Sequence, residues 1–145
     1  MVSGTSFEDL SVINGVTYHY VISATNPNGI SEPSAEIQTT PHAPSTIDKA
    51  DNTANLALAA SWNGGVVPTS LDTARWDGLP GSYAVPLDAD AAWDRLQLGD
   101  TGGAVDISGP GTLTLGAGGI DMAAATADLG IACNLLLAPG RQIWN

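Results

Sequence analysis

Asp88-Ala-Asp90-Ala-Ala-Trp-Asp94 is the densest run of carboxylates in the chain. Acids at this spacing offer oxygen ligands to a hard cation such as Ca²⁺, or an acid/base pair to a glycosidic bond. Asp88, Asp90 and Asp94 are therefore the candidate catalytic residues. Asp88 and Asp90, joined by Asp121, are the candidate Ca²⁺ ligands, and calcium is the one cofactor the sequence points to. The plainer expectation is that Asp88 or Asp90 caps a short turn ahead of Trp93 and Leu96.

Gly116-Ala-Gly-Gly-Ile-Asp121 is similar to the glycine- and aspartate-rich calcium nonapeptide. Such sites share the ion between tandem copies, and a single copy stands here, so corner glycines are the expected role. The same run fails as a dinucleotide loop, because Asp121 occupies the third glycine position and no helix follows. No G-x-S-x-G, H-E-x-x-H or C-x-x-C occurs. His19 and His42 have no catalytic constellation around them in sequence, and both are expected at the surface. Cys133 lies between Ile131 and Leu135, as a buried, unreactive thiol would. Trp62, Trp76 and Trp93 are the candidate ligand-binding residues, through stacking on sugar rings. Each of them, and Trp144, also neighbours apolar strand residues, so packing in a core or cap is the expectation.

Composition narrows the classes. Fifteen Asp plus Glu oppose four Lys plus Arg, for a net charge of −11. Lys49, Arg75, Arg95 and Arg141 are too scattered to displace counterions from a nucleic acid, and an anionic membrane surface is excluded on the same ground. No apolar run approaches the ~20 residues that span a bilayer. Seventeen Gly and nine Pro favour short strands and turns. One cysteine excludes an internal disulfide. An acidic, lysine-poor, nearly cysteine-free composition suits a bacterial extracellular or cell-surface protein. Residues 1–20 show no basic segment leading into an apolar one, so an export signal is expected on sequence outside this chain.

Thr17–Asn26 alternates with period two, placing Tyr18, Tyr20, Ile22 and Ala24 on one face of a half-buried strand. Asn26-Pro-Asn-Gly29 reads as a turn, with Ser34–Thr40 returning antiparallel. The run from Val12-Ile-Asn-Gly15-Val-Thr-Tyr18 through Asn26-Pro-Asn-Gly29 to Ser34 resembles the last strands of a fibronectin type III domain. That resemblance implies a tyrosine corner at Tyr18, whose hydroxyl returns to upstream backbone. It covers the back half of such a domain, so an apolar face carrying Tyr20 and Ile22 is expected to lack its facing sheet.

Pro41-His-Ala-Pro44 is stiff, and Lys49–Asn55 is polar, so 41–55 reads as a linker between residues 1–40 and 56–145. Beyond it, apolar triplets recur: Leu96–Leu98, Val105–Ile107, Leu113–Leu115, Ile120–Met122, Leu129–Ile131, Leu135–Leu137 and Gln142–Trp144. Leu96 precedes Ile120 by 24 residues, Val105 precedes Leu129 by 24, Leu115 precedes Leu137 by 22, and Ile120 precedes Ile143 by 23. Three short strands per turn at that period describe one rung of a parallel β-helix. Trp62 through Gly-Gly-Val-Val-Pro68 to Trp76-Asp-Gly78, with Leu113–Met122, also resembles the autotransporter-associated β-strand repeat proteins. That resemblance implies a right-handed β-solenoid on a bacterial surface or secreted protein.

The expected fold is thus all-β: a partial fibronectin III-like antiparallel sheet, then right-handed parallel β-helix rungs behind an N-terminal cap region. The expected function is a non-catalytic extracellular structural or adhesive segment. The alternatives are a fragment of a polysaccharide-active hydrolase or lyase, or a carbohydrate-binding module. Self-association through open sheet edges is the expected partnership, a polysaccharide a second, with no nucleic acid and no membrane insertion.

Overall fold

The computed structural model describes residues 7–139, in two units, Met1–Ala43 and Pro44–Asn145. Trp144 and the Gln142–Trp144 triplet lie outside the described residues.

In the first unit the aromatic alternation makes β1 (Tyr18–Tyr20), followed by β2 (Thr25–Asn26), β3 (Gly29–Ile30) and β4 (Ile37–Thr39). β1 pairs antiparallel with β4, setting Tyr18 opposite Thr39 and Tyr20 opposite Ile37. β2 and β3 form a hairpin, in which Asn28 N–H donates to Asn26 Oδ1 at 2.8 Å. The strand expected over Thr17–Asn26 is broken between these pairs. There the Ser34 and Ser31 hydroxyls accept from Ile22 and Ala24 N–H at 3.0 and 2.9 Å, where strand carbonyls would otherwise do so. Ile13 N–H donates to Tyr18 Oη at 2.9 Å, tying the ring to upstream backbone. Tyr18 and Tyr20 are half-buried, but Ile22 is 76% and Ile37 66% exposed.

The second unit holds β5 (Thr46–Asp48), β6 (Thr73–Trp76), β7 (Tyr83–Pro86), β8 (Ala91–Leu98), β9 (Val105–Asp121) and β10 (Leu129–Leu137). They form a sheet in the order β10-β9-β8-β6-β5, with β7 also on β9. Every pair is parallel. Partners stand 22 or 24 positions apart on β6/β8, β7/β9, β8/β9 and β9/β10, and 27 apart on β5/β6. Leu96 meets Ile120, Val105 meets Leu129, and Leu115 meets Leu137.

Two differences from the sequence reading have physical causes. Residues 105–121 form one bent strand instead of separate triplets. The ladder survives the bends by bulging: Gly109-Pro-Gly111 stands opposite Cys133, and Gly116-Ala-Gly118 opposite Asp94. Gly109 takes φ +141° above the Leu87 carbonyl, and a Cβ on Gly116 or Gly118 would lie 2.7 Å from an Asp94 carboxylate oxygen. The second difference is the linker. Thr46–Asp48 is a strand of the sheet, Lys49 bridges to Trp62, and Leu56 is fully buried. The polar stretch 45–55 therefore belongs to the second unit.

Alternation decides the core. Val105, Ile107, Leu113 and Leu115 of β9, and Leu96 and Leu98 of β8, are all 0% exposed. Each such burial stabilises by about 1.5–3 kcal/mol. Outward positions carry the polar side chains, among them Asp48, Arg75, Gln97 and Asp121, which follow one another in register across four strands. Arg75 Nε donates to Asp48 Oδ1 at 2.6 Å. Among the described residues no helix is long and apolar enough to cross a membrane.

Candidate functional site

The sequence-derived carboxylates do not converge. Asp88 Oδ2 accepts from Asn55 Nδ2 at 2.6 Å, Asp90 Oδ1 from Thr112 N–H at 2.8 Å, and Asp94 Oδ1 from Gly118 N–H at 3.3 Å. Asp121 accepts from Ala123 N–H at 3.1 Å and from Gln97 Nε2 at 3.3 Å, with Arg95 Nη1 at 3.8 Å. The expected local capping is corrected as well. Asp88, Asp90 and Asp94 bind groups 22 to 33 positions away, so Asp90 and Asp94 tie to the neighbouring strand β9 and Asp88 to the loop after β5. Among the described residues no three His, Cys, Asp or Glu side chains gather to hold a cation, and the Asp88, Asp90 and Asp121 calcium set is not assembled.

Trp62, Trp76 and Trp93 are 2%, 0% and 1% exposed. Their ring centroids lie 5.5, 5.7 and 5.9 Å apart, two pairs edge-on and one tilted. Trp62 Nε1 donates to Leu56 C=O at 2.9 Å. Rings buried against one another offer no face to a sugar, which corrects their candidacy as stacking platforms and places them in the core.

His19 does meet a carboxylate: Nδ1 lies 2.8 Å from Glu36 Oε1, on an open surface with the two side chains 51% and 60% exposed. An ion pair so exposed is worth little. His42 Nδ1 lies 2.9 Å from Ala43 C=O. Cys133 is half-buried, and burial pushes its thiol up, away from the nucleophilic thiolate. A shallow depression of about 300 Å³ on the outward sheet face is lined by Ser45, Thr46, Thr73, Asp94 and Arg95. It is open and polar, without a nucleophile–base pair.

Two buried ionic groups escaped the sequence reading. Asp72 is 0% exposed. One carboxylate oxygen accepts from Ser45 N–H and Oγ at 3.0 and 2.9 Å. The other accepts from Thr69 N–H and Oγ1, both at 2.8 Å. Burial pushes this carboxyl up, and the four hydrogen bonds outweigh it, so it titrates below the usual range. The Thr69-Ser-Leu-Asp72 spacing was the available signal, since hydroxyls and carboxylates at that separation close local turns.

Lys49 is 1% exposed. Its Nζ donates to Ala50 C=O at 2.9 Å, Asn52 C=O at 2.7 Å and Asn52 Oδ1 at 2.9 Å. Burial pushes the ammonium down to about 8, against the upward pull of Asp51. The unfolded lysine keeps its proton to about 10.4, so across that interval stability gains with rising pH. Cys133 acts in the opposite sense, because its thiol is raised when folded. The clean quantity is therefore wild-type stability minus that of Lys49→Met. Denaturant midpoints should show this difference growing between about pH 8 and about pH 10; a flat difference would refute the buried, depressed ammonium.

No protein-family model matches the chain, and no curated protein or solved structure matches it either.

Proposed function

We propose that this chain is a non-catalytic structural or adhesive segment of a large secreted or surface protein. In this reading the second unit is a right-handed β-solenoid capped at its first turn by residues 49–65, and the first unit is the closing part of a fibronectin III-like sandwich. The observation that carries it is the 22- or 24-residue parallel register with an interior filled by Trp76, Trp93, Leu96, Ile107, Leu113 and Leu115. A coil packed solid has surfaces and corners to work with but no internal pocket. The Tyr18 tie to Ile13 supports the reading of the first unit. The acidic, lysine-poor surface supports placement outside the cell.

The test is to incubate the chain with a panel of neutral and acidic polysaccharides, with and without Ca²⁺. Release of reducing ends and of unsaturated products is then followed. No release above blank is expected. Cleavage that disappears in the Asp88→Ala/Asp90→Ala/Asp94→Ala variant would replace this reading with that of a polysaccharide hydrolase or lyase.

A further inference from the structure

Thr46 of β5, Thr73 of β6 and Arg95 of β8 are register partners in one row across the sheet. They alternate with the buried Ile47, Ala74 and Leu96, so their side chains face outward. On its other side Arg95 pairs with Gly119 of β9. One long side chain thus stands among short ones, and the face sinks there into the depression of about 300 Å³ described above. That volume is at the small end for ligand sites. The bulge at Asp94 brings a carboxylate to the same depression, and the loops ahead of β5 and β6 add Pro44 and Leu71, both exposed.

The charges in this depression are not satisfied by the fold. Arg75, one strand over on the same face, has Nε and Nη2 on Asp48 at 2.6 and 3.1 Å. Arg95 differs: its Nε is buried without an acceptor among the described residues. Asp121 Oδ2 stands 3.8 Å from Arg95 Nη1 and already accepts from Gln97. A guanidinium held on a sheet with its fork unfilled is a costly arrangement that an acceptor from outside relieves. Asp94 is the complementary case. Its Oδ1 accepts from Gly118 N–H at 3.3 Å, and its Oδ2 has no donor among the described residues.

A donor fork and an acceptor oxygen side by side, with threonine hydroxyls and an apolar rim, match a sugar ring. Adjacent ring hydroxyls donate to the carboxylate and accept from the guanidinium, while the C–H face lies on Leu71 and Pro44. The charge of the sugar follows from Asp94 and from the chain's net −11, which both oppose an acidic polymer. We propose that the outward face of β5, β6 and β8 binds a neutral polysaccharide at this depression, with Arg95 and Asp94 holding adjacent hydroxyls of one ring. The role rests on the adhesive reading above and gives that segment its ligand.

The test is to titrate the ¹⁵N-labelled chain with cellopentaose, mannopentaose and pentagalacturonate. At least one neutral sugar should shift the Arg95 Nε–H signal and the Thr46 and Thr73 amides. A dissociation constant of about 1 mM is expected of one open subsite. Arg95→Met keeps the apolar stem and removes the donors. It should weaken binding about tenfold or more, with the β circular dichroism retained. Arg75→Met removes a guanidinium already held by Asp48 and should bind as wild type does. Silent signals with both neutral sugars, equal or stronger binding of pentagalacturonate, or unchanged affinity in Arg95→Met overturns the proposal. The wild-type titration needs no variant and decides the matter even where Arg95→Met does not fold. Sizing the sugars recovered from the same samples separates the two readings. Silent signals with intact sugars sink the subsite and leave the non-catalytic segment standing. Shifts at Arg95 with shortened sugars keep the subsite and sink the non-catalytic reading.

Discussion

Trp76→Ala is expected to destabilise the second unit by about 4 kcal/mol, read as a shift in its denaturant midpoint at unchanged slope. Trp76 is 0% exposed and makes edge or tilted ring contacts with Trp62 and Trp93. Removing the indole deletes its transfer energy and leaves a void that stacked strands, held by ladders on both sides, close poorly. Each aromatic pair adds about 0.5–1.5 kcal/mol beyond area, and two pairs are lost together. Trp76→Phe keeps a ring and should cost less than half as much. The control is Leu136→Ala, at a position 56% exposed on the outer face of β10, which should fall within about 0.5 kcal/mol of wild type. A Trp76→Ala cost below about 1 kcal/mol would mean that the three rings do not fill the interior, and would return them to the surface role that their burial argues against.

The register was readable because the inward face of a stacked sheet must repeat. Leu96 with Ile120, Val105 with Leu129 and Leu115 with Leu137 are partners whose spacing stands in the sequence as apolar periodicity. β5 was not readable for the converse reason. Its three residues pair at 27 positions, off the main period, and only Ile47 is apolar. A polar composition there suggested a linker. Lys49 and Asp72 were missed because charged residues default to the surface, and their burial depends on acceptors and donors that only the fold brings within reach. The carboxylate run misled in another way. Asp88, Asp90 and Asp94 look clustered in sequence, yet Thr112 and Gly118, the partners of Asp90 and Asp94, come from the neighbouring strand β9, and Asn55, the partner of Asp88, comes from the loop after β5. A local reading finds a ligand set where the fold makes separate ties.

Asp72→Asn is the second large effect, about 3 kcal/mol at neutral pH. The carboxylate is acceptor-only and meets four donors from Ser45 and Thr69. An asparagine of the same shape keeps one acceptor and turns an NH₂ donor toward the other pair, leaving buried N–H groups unpaired. The position is also a junction for the backbone. Asp72 C=O accepts from Asp94 N–H at 2.9 Å, and the adjoining Thr73 N–H donates to Ser45 C=O at 2.8 Å, so Asp72 and Thr73 together align the starts of β5 and β6 with β8. The pH profile separates this from a merely tight fit. The folded carboxyl titrates below its unfolded value of about 3.9. Its contribution is therefore complete above that value and is lost as pH falls through the depressed folded value. The stability difference between wild type and Asp72→Asn should be constant from about pH 7 to about pH 5 and shrink on further acidification. A difference that stays constant into strong acid would show that the cost is steric and that the charge on Asp72 does not hold the strands in register.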